Sequence, residues 1–231
     1  MMNDKEAILE GQLILVDKPL EWTSFQVVNK IRWLIKKKHA LKKIKVGHAG
    51  TLDPLATGLL IVCTGKMTKQ IDSLMGEEKT YTGTFVVGAT TPSYDLETDI
   101  NNRYEIDQIT PKLIDQVRAQ FIGSIWQKPP LFSAIKKNGK RLYEHARANE
   151  QIEVPAREVY IHTFELTRID LPEIDFEICC SKGTYIRSIA HDFGQALRSG
   201  AHLKKLCRTA IGQHQLENAY DLNTLEKLIN S

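Results

Sequence analysis

The residues best suited to chemistry lie in one short stretch, residues 47–58, which reads GHAGTLDPLATG. Gly50 and Gly58 allow backbone conformations that other residues avoid, while Pro54 fixes its own φ and restricts Asp53 to extended geometry. Asp53 is therefore a carboxylate with little conformational freedom, as a catalytic group requires. Asp-Pro in a glycine-bearing loop is also typical of an ordinary turn. These residues alone leave both interpretations open.

Two other kinds of site resemble parts of this region but fit it poorly. The tripeptide at 64–66, TGK, is similar to the end of a phosphate-binding loop. Leu60 stands where that motif needs its first glycine, and Met67 stands where it needs a serine or threonine. His48 and Asp53 could bind a metal, but no other His, Cys or carboxylate lies at ligand spacing nearby. We therefore expect neither a phosphate loop nor a metal site.

The positive charge is clustered, although the formal net charge is only +3. Residues 22–52 contain lysines and arginines but no acidic residue, and Asp53 is the first carboxylate after them. Two further basic clusters lie at 128–147 and at 204–208. Three separate clusters suit a polyanionic partner whose phosphates are contacted at several points. Any one of them could equally be a solvated face.

The composition is that of an ordinary globular protein, with 42% hydrophobic and 26% charged residues in a chain of 231. No apolar run approaches the roughly 20 residues of a membrane span, and the N-terminus lacks the layout of a signal peptide. We expect a cytoplasmic protein with no membrane partner. The cysteines form no C-x-x-C pair and are expected to be reduced thiols. They are Cys63, Cys179, Cys180 and Cys207.

The elements that must position Asp53 mix strands and helices without regular βαβ alternation. The predicted strands are 11–18, 59–63, 79–87, 158–169, 174–181 and 203–211, and the predicted helices are 24–38, 67–75, 110–121, 184–198 and 222–229. This order predicts an α+β fold with a mixed, largely antiparallel central sheet flanked by helices and loops. Ser24 is expected to be an N-cap. Residues 46–58 are expected to form a loop, and the polar residues 93–109 a surface loop.

The stretch at 47–58 resembles the signature of the TruB family of tRNA pseudouridine synthases. Other segments follow the family pattern in the same order along the chain, from about residue 11 to 211. They are Val16–Pro19, Lys79–Tyr81, Pro130–Lys136, Ser181–Arg187 and Leu206–Thr209. A signature with several ordered companions is a specific match. It favours the catalytic interpretation of Asp53 over the turn.

The resemblance implies a pseudouridine-synthase fold and the isomerisation of uridine 55, in the T-arm loop of tRNA, to pseudouridine. It implies that Asp53 is the nucleophile. His48 would help to displace the target base and fill its place. Tyr81 would stack on the flipped base.

The other site residues implied by the resemblance lie later in the chain. Tyr185, Arg187 and Leu206 would line the pocket, with Arg187 paired to Asp53, and we count Tyr81, Tyr185 and Arg187 with Asp53 as catalytic. Whether Tyr185 stacks on the base or helps to remove its C5 proton stays open. The further substrate contacts expected are Lys18, Lys136 and Lys137.

The implied reaction fits these residue types. Pseudouridine formation breaks the bond from ribose C1′ to base N1 and makes one to C5, without redox change or loss of a group, so no cofactor is expected. An aspartate, with a reference pKa of about 3.9, is ionised at neutral pH. A guanidinium such as that of Arg187 would help to keep Asp53 ionised in a dry pocket. Flipping the base costs a few kcal/mol, which stacking on an aromatic ring partly offsets.

The sequence departs from the family pattern in two places. Many members carry a small C-terminal RNA-binding domain of the PUA type, whereas about twenty residues follow the last matched strand here. We therefore expect a single catalytic domain over 1–231 without a PUA domain, with an RNA-binding insertion at about 124–152. Cys207 stands where an arginine is more usual. The expected partner is the T-arm stem-loop of tRNA, with no obligate protein partner.

Three alternative functions are weighed against this one. The chain could modify another uridine, or it could depend on a guide RNA, which the expected lack of a PUA domain disfavours. It could be an RNA-binding or tRNA-folding module with incidental catalysis, but binding alone does not require the Asp53 carboxylate. A metal-dependent phosphodiesterase would need a cluster of ligands that the sequence does not offer.

Overall fold

The computed structural model describes residues 4–133, 135–137, 139–148, 150 and 152–231. Its helices are α1 (Lys5–Glu10), α2 (Ser24–Lys38), α3 (Ile71–Gly76), α4 (Pro111–Ala119), α5 (Leu142–Arg147), α6 (Ile186–Ala196) and α7 (Leu222–Asn230). 3₁₀ helices lie at Gly65–Gln70 and Leu216–Asn218. Within these described ranges, every helix is too short or too polar to cross a membrane.

The strands supply the framework for the loops between them. They are β1 (Leu13–Lys18), β2 (Val46–His48), β3 (Ala56–Thr64), β4 (Lys79–Val87), β5 (Ala89–Thr90), β6 (Asn102–Arg103), β7 (Gly123–Gln127), β8 (Lys136–Lys137), β9 (Lys140–Arg141), β10 (Arg157–Asp170), β11 (Glu173–Cys180), β12 (Ala201–Ile211) and β13 (His214–Gln215). The chain divides into two compact units. The first comprises the residues up to Tyr81 with Leu206–Ser231, and the second comprises Thr82–Lys205.

The first unit is built around β3. β1 pairs with it antiparallel, from Leu13 opposite Cys63 to Lys18 opposite Gly58. β2 also pairs with β3 antiparallel, whereas the end of β12 pairs with it parallel. Almost every residue of β3 is buried, as expected for a strand with a continuous apolar run, here Leu59 to Cys63.

Helix α2 covers one face of the first unit with an apolar stripe at helical spacing. The buried members of this stripe are Val27, Val28, Ile31, Leu34 and Ile35. α2 ends at Lys38 as predicted, but it begins at Ser24 itself, one residue earlier than an N-cap at Ser24 would place it. Thr23 caps the helix and forms a capping box with Gln26. Ser24 is buried in the first turn, where its hydroxyl bonds to another segment of the chain.

The second unit contains β11, β10 and β7 in sheet order beside the later residues of β4. β10 pairs antiparallel with β11 on one side and with β7 on the other. Its core is aromatic: the rings of Phe85 and Phe176 stack with centroids 4.2 Å apart, and Phe164 and Phe193 pack around them. The predicted α+β fold with a mixed, largely antiparallel sheet is confirmed.

Several predicted boundaries were wrong. The predicted loop 46–58 contains β2 and the beginning of β3, because backbone pairing with β12 extends the strand to Ala56 despite Gly58. The predicted helix 67–75 is the later part of a 3₁₀ helix, Gly65–Gln70, followed by the short helix α3. Polar residues 93–109 are not all at the surface, since Ser93 and Asp95 are buried in hydrogen bonds and an ion pair.

Candidate active site

Asp53 lies in the connection between two paired strands. β2 and β3 form a hairpin in which His48 is opposite Val62, and residues 49–55 join the strands. Asp53 is half-buried within this connection, whereas the neighbouring Leu52 side chain is buried. The two glycines behave as predicted: Gly50 has φ of +102° and Gly58 has φ of +100°, a region that side-chain-bearing residues avoid.

The backbone of this loop is fixed at consecutive positions. Ser24 on α2 accepts a hydrogen bond of 2.9 Å from the Leu52 amide and donates one of 3.2 Å to its carbonyl. The Asp53 carbonyl accepts a bond from the Ala56 amide at 3.1 Å, and the Pro54 carbonyl accepts one from the Glu21 amide at 2.8 Å. Asp53 is therefore presented by a backbone with little freedom, as preorganisation of a reactive group requires.

Lys18 is the most unusual support of the loop, because its side chain is fully buried. Its ammonium donates to the carbonyls of Pro19 at 2.9 Å, Trp22 at 2.6 Å and Pro54 at 3.4 Å. Burial is the largest influence on this group and lowers the pKa of Lys18 to about 8, although the Asp53 carboxylate opposes that shift. The structure thus gives Lys18 backbone partners around the Asp53 loop; its predicted substrate contact remains a prediction.

Arg208 supports the same loop from β12. Its guanidinium donates to the Leu59 carbonyl at 2.8 Å and to the Gly50 carbonyl at 3.0 Å, and only 1% of the residue is exposed. The sequence placed Arg208 in a basic cluster that could contact phosphate. That interpretation was wrong for Arg208, because its charge is enclosed and bonded to the hairpin, whereas Lys204 and Lys205 in the same cluster are exposed.

His48 lies at the end of β2 and is half-buried. Burial, followed by the positive charge of Arg208, lowers the pKa of His48, so its imidazole is neutral at neutral pH. Its Nδ1 is buried without a hydrogen-bond partner in the described part of the chain. A neutral imidazole can contact a substrate group without carrying charge into the site.

Two further predicted residues belong to the first unit. Tyr81, on β4, is only 8% exposed. Leu206, on β12, is half-buried and lies opposite Ala56, three residues after Asp53, in the parallel pairing with β3. The structure therefore brings Lys18, Leu206 and the Asp53 loop together within one unit.

Tyr185 and Arg187 lie at the start of α6 in the second unit. The backbone of Tyr185 is held by Gln127 of β7, whose side-chain oxygen accepts from its amide at 2.8 Å and whose NH₂ group donates to its carbonyl at 3.1 Å. Two guanidinium groups lie near its ring, that of Arg157 at 5.0 Å and that of Arg187 at 6.0 Å from the centroid. Tyr185 is thus fixed next to two cations.

Arg187 is buried and forms an ion pair that the sequence did not suggest. Only 3% of the residue is exposed, and its Nε lies 3.6 Å from a carboxylate oxygen of Asp95. It also donates to the carbonyls of Phe132 at 2.9 Å and Ser93 at 3.3 Å. A buried guanidinium needs such partners because leaving it unpaired is costly. Its predicted pairing with Asp53 remains a prediction.

Lys136 and Lys137 form β8, which pairs with β9 in a small separate ribbon. Their side chains lie outside the description that the structure gives, so their predicted substrate contacts stay predictions. In the ranges that are described, no group of three or more His, Cys, Asp or Glu side chains could hold a metal ion.

The supporting residues were the ones that sequence reasoning missed. Gln127 and Asp95 lie in no recognisable motif, and Arg208 was predicted only as part of a basic cluster and of the matched segment Leu206–Thr209. All three act through contacts with segments distant in the sequence, which no local pattern reports. The parallel pairing of β12 with β3, which places Arg208 opposite Gly58, likewise appears only in the structure.

A preorganised hairpin carboxylate in a mixed α+β fold indicates an enzyme rather than a simple binding module. The N-terminal domain of the TruB family pseudouridylate synthases matches residues 37–186, which include the Asp53 loop, Tyr81 and Tyr185. This match covers more than half of the chain. The chain therefore belongs to the TruB family of pseudouridylate synthases, as the sequence predicted, and the predicted pseudouridine-synthase fold is confirmed.

Individual relatives agree with this assignment. The chain is 60% identical to the tRNA pseudouridine synthase B of Flavobacterium johnsoniae over 223 residues, covering 96% of this chain and 97% of the relative. It is 50% identical to that of Phocaeicola vulgatus, covering 96% and 94%. A solved Cbf5–Nop10–Gar1 complex contains a chain with 30% identity and a TM-score of 0.70. That match covers 96% of this chain and 55% of the solved one, so this chain spans about half its length.

Proposed function

We propose that this chain is a tRNA pseudouridine synthase that isomerises uridine 55 of the T-arm loop, with Asp53 as its nucleophile. The observation that carries the proposal is the fixed loop around Asp53, held by Lys18, Ser24 and Arg208. Such anchoring is costly to build and suits a group that must meet one reacting atom in a defined geometry. The relatives named above are tRNA pseudouridine synthases, which supports tRNA as the substrate.

The reaction needs a nucleophile that forms a bond and then leaves. The Asp53 carboxylate attacks the target nucleoside, the bond between C1′ and N1 breaks, and the base turns so that C5 bonds to C1′. The C5 proton is then lost and N1 gains one, so the product is an isomer of the substrate. The proposal holds whether the carboxylate attacks C6 of the base or C1′ of the ribose.

The other residues bind the flipped uracil and stabilise the charge of the Asp53 carboxylate. Tyr81 stacks on the flipped uracil, and the neutral His48 occupies the place that the base leaves in the RNA. Tyr185 and Leu206 line the pocket, and Arg187 helps to keep Asp53 ionised. Tyr185, whose ring lies near the guanidinium groups of Arg157 and Arg187, either stacks on the uracil or helps to remove the C5 proton.

Binding of the RNA requires contacts beyond the target base. We propose that the segment 124–152 is an insertion in one catalytic domain and that Lys136 and Lys137 within it contact phosphates. Such contacts are electrostatic and depend on salt. They would set affinity without entering the chemistry.

The test is to incubate the protein with an isolated T-arm stem-loop in the presence of a chelator. Pseudouridine is then mapped by carbodiimide-dependent stops in reverse transcription. The expected result is one stop at the loop uridine, and no stop on a matched stem-loop with cytidine at that position. Tight binding without any stop, on either the stem-loop or whole tRNA, would overturn the proposal and favour an RNA-binding or tRNA-folding module.

A further inference from the structure

Trp33 lies on the side of α2 that faces away from the core of the first unit. The apolar stripe of this helix is buried, whereas Trp33 is 52% exposed. A single exposed apolar residue is common and needs no explanation. Whether Trp33 belongs to a binding site therefore depends on the residues that surround its ring.

Two lysines flank the Trp33 ring along the helix. The ammonium of Lys37 lies 4.9 Å from the ring centroid and that of Lys30 lies 5.7 Å from it, both within the range of cation–π contacts. Lys30 is held in addition by an ion pair of 2.6 Å with Glu226, while Lys37 is exposed. Both ammonium groups thus lie over the ring, and only that of Lys30 is anchored by an ion pair in the described part of the chain.

A groove adjoins the ring. It is a concavity of about 520 Å³ lined by Asn29, Arg32, Trp33, Lys36, Lys37 and Leu41. Its base is fixed, because Arg32 donates to the Asn29 side chain at 2.6 Å and to the Val46 carbonyl at 2.9 Å. We call this feature the Trp33 groove.

The charged residues that line the Trp33 groove in the described part of the chain are all basic, and Glu226 beside them is paired with Lys30. No acidic residue occurs in residues 22–52. Exposed lysines continue from it along the chain at Lys38, Lys42, Lys43 and Lys45. An aromatic face beside a basic surface is the arrangement that binds single-stranded nucleic acid, with a base on the ring and the phosphates on the cations.

The Trp33 groove is separate from the Asp53 loop. Ser24, at the beginning of α2, bonds to Leu52 of that loop, and Trp33 follows nine residues later in the same helix. At a rise of 1.5 Å per residue this corresponds to roughly 14 Å along the helix axis. A nucleotide in the groove is therefore not the one that reacts with Asp53.

We propose that the Trp33 groove binds an unpaired nucleotide of the substrate tRNA other than the target uridine. Its base stacks on the indole of Trp33, and the adjoining phosphate lies between Lys37 and Lys36. The proposal rests on the function proposed above, which makes tRNA the substrate. It adds a second contact that sets affinity and leaves the chemical step unchanged.

The experiment measures two quantities separately, the Kd for fluorescently labelled whole tRNA and the rate of pseudouridine formation at saturating tRNA. Trp33→Ala should raise Kd at least about fivefold, because loss of a stacked base costs on the order of 1–3 kcal/mol. The saturating rate should stay within twofold of the wild type. Trp33→Phe, which keeps a ring, should restore most of the affinity, whereas Trp33→Leu, which keeps only apolar bulk, should not.

Charge variants complete the test. Lys37→Ala should raise Kd and reduce the slope of log K against log salt by about one. Lys112→Ala, which removes an exposed lysine on α4, should change neither quantity. Urea unfolding of each variant shows whether the fold is intact.

A Kd for Trp33→Ala within twofold of the wild type, in a folded variant, would overturn the inference. It would instead favour an acidic protein as the occupant of the groove. Unchanged Kd with a reduced saturating rate would overturn it as well. Failure of the proposed function looks different: the wild type would form no pseudouridine, while Trp33→Ala would still lose affinity for tRNA.

Discussion

Lys18 donates a hydrogen bond of 3.4 Å to the carbonyl oxygen of Pro54, the residue that follows Asp53. The same ammonium bonds to the carbonyls of Pro19 and Trp22, so one buried cation joins the end of β1 to the reactive loop. This cation also lies in the field of the Asp53 carboxylate. Lys18 therefore positions Asp53 as well as balancing its charge.

Replacing Lys18 should affect the chemical step more than binding. We expect Lys18→Met to lower the single-turnover rate at saturating tRNA by about tenfold or more, because small displacements of a reacting group are costly. The Kd for tRNA should stay within twofold. Lys66→Met, which breaks an exposed ion pair with Glu10, is the matched control and should change neither quantity. Loss of affinity with an unchanged rate would instead support a direct substrate contact by Lys18.

The pKa of Lys18 predicts how the rate depends on pH. Since burial lowers this pKa to about 8, the wild-type rate should fall above pH 8 as the ammonium loses its proton, and Lys18→Met should lack that decline. Unfolding does not explain such a decline. The folded-state pKa lies below the unfolded value of 10.5, so between pH 8 and 10.5 the unfolded state binds more protons. The contribution of Lys18 to the free energy of unfolding therefore rises with pH in that window, which urea unfolding at pH 7 and 9 can check.

Gly58 should not tolerate a side chain. Its φ is +100°, and a Cβ would lie 2.4 Å from the Arg208 carbonyl oxygen and 2.8 Å from the Arg208 amide nitrogen. We expect Gly58→Ala to lower the free energy of unfolding by at least about 2 kcal/mol, through strain and backbone displacement. Gly76→Ala is the control, because a Cβ there meets nothing within 4 Å. Equal stability of the two variants in urea would contradict the described backbone.

The Asp95–Arg187 pair should matter for stability. Removal of one partner of a buried ion pair leaves the other charge uncompensated, so Asp95→Asn should lower the free energy of unfolding by about 3 kcal/mol. Asp99→Asn, an exposed carboxylate in the same segment, should stay within about 0.5 kcal/mol of the wild type. Chemical denaturation of both variants measures this difference. Equal free energies of unfolding for Asp95→Asn and Asp99→Asn would contradict a stabilising role of the Asp95–Arg187 pair.

His48 should destabilise the fold in acid. Its pKa is lowered by burial and by Arg208, so below the ordinary pKa of 6.5 the unfolded state takes up the proton first. The free energy of unfolding therefore falls as pH drops through this window. His48→Gln should show a smaller loss between pH 7.5 and 5.5, while His191, which titrates with the same sign, contributes equally to both proteins. An identical loss in wild type and variant would mean that folding does not lower the pKa of His48.

The sequence predicted what local patterns encode. The apolar stripe of 24–38 predicted α2 to within one residue at its start, and the glycine positions predicted the positive φ angles at Gly50 and Gly58. The family motifs predicted that Asp53 is the reactive group, without any knowledge of its contacts.

The supports of the site could not be predicted in this way. Lys18 and Pro54 are 36 residues apart, and Arg208 and Gly50 are 158 residues apart. A charged side chain is normally exposed, so composition alone assigns such residues to the surface. Only tertiary packing shows that these two cations, and the Asp95–Arg187 pair, are enclosed.

The identity of the nucleophile is tested most directly by Asp53→Asn with tRNA carrying tritium at C5 of uridine. Formation of the new C5–C1′ bond expels that hydrogen, so tritium release reports the reaction itself. We predict no release above the protein-free rate in a single turnover, a Kd for tRNA within threefold of the wild type, and normal release by the exposed control Asp72→Asn. Release by Asp53→Asn within about tenfold of the wild-type rate would contradict the assignment of Asp53 as nucleophile.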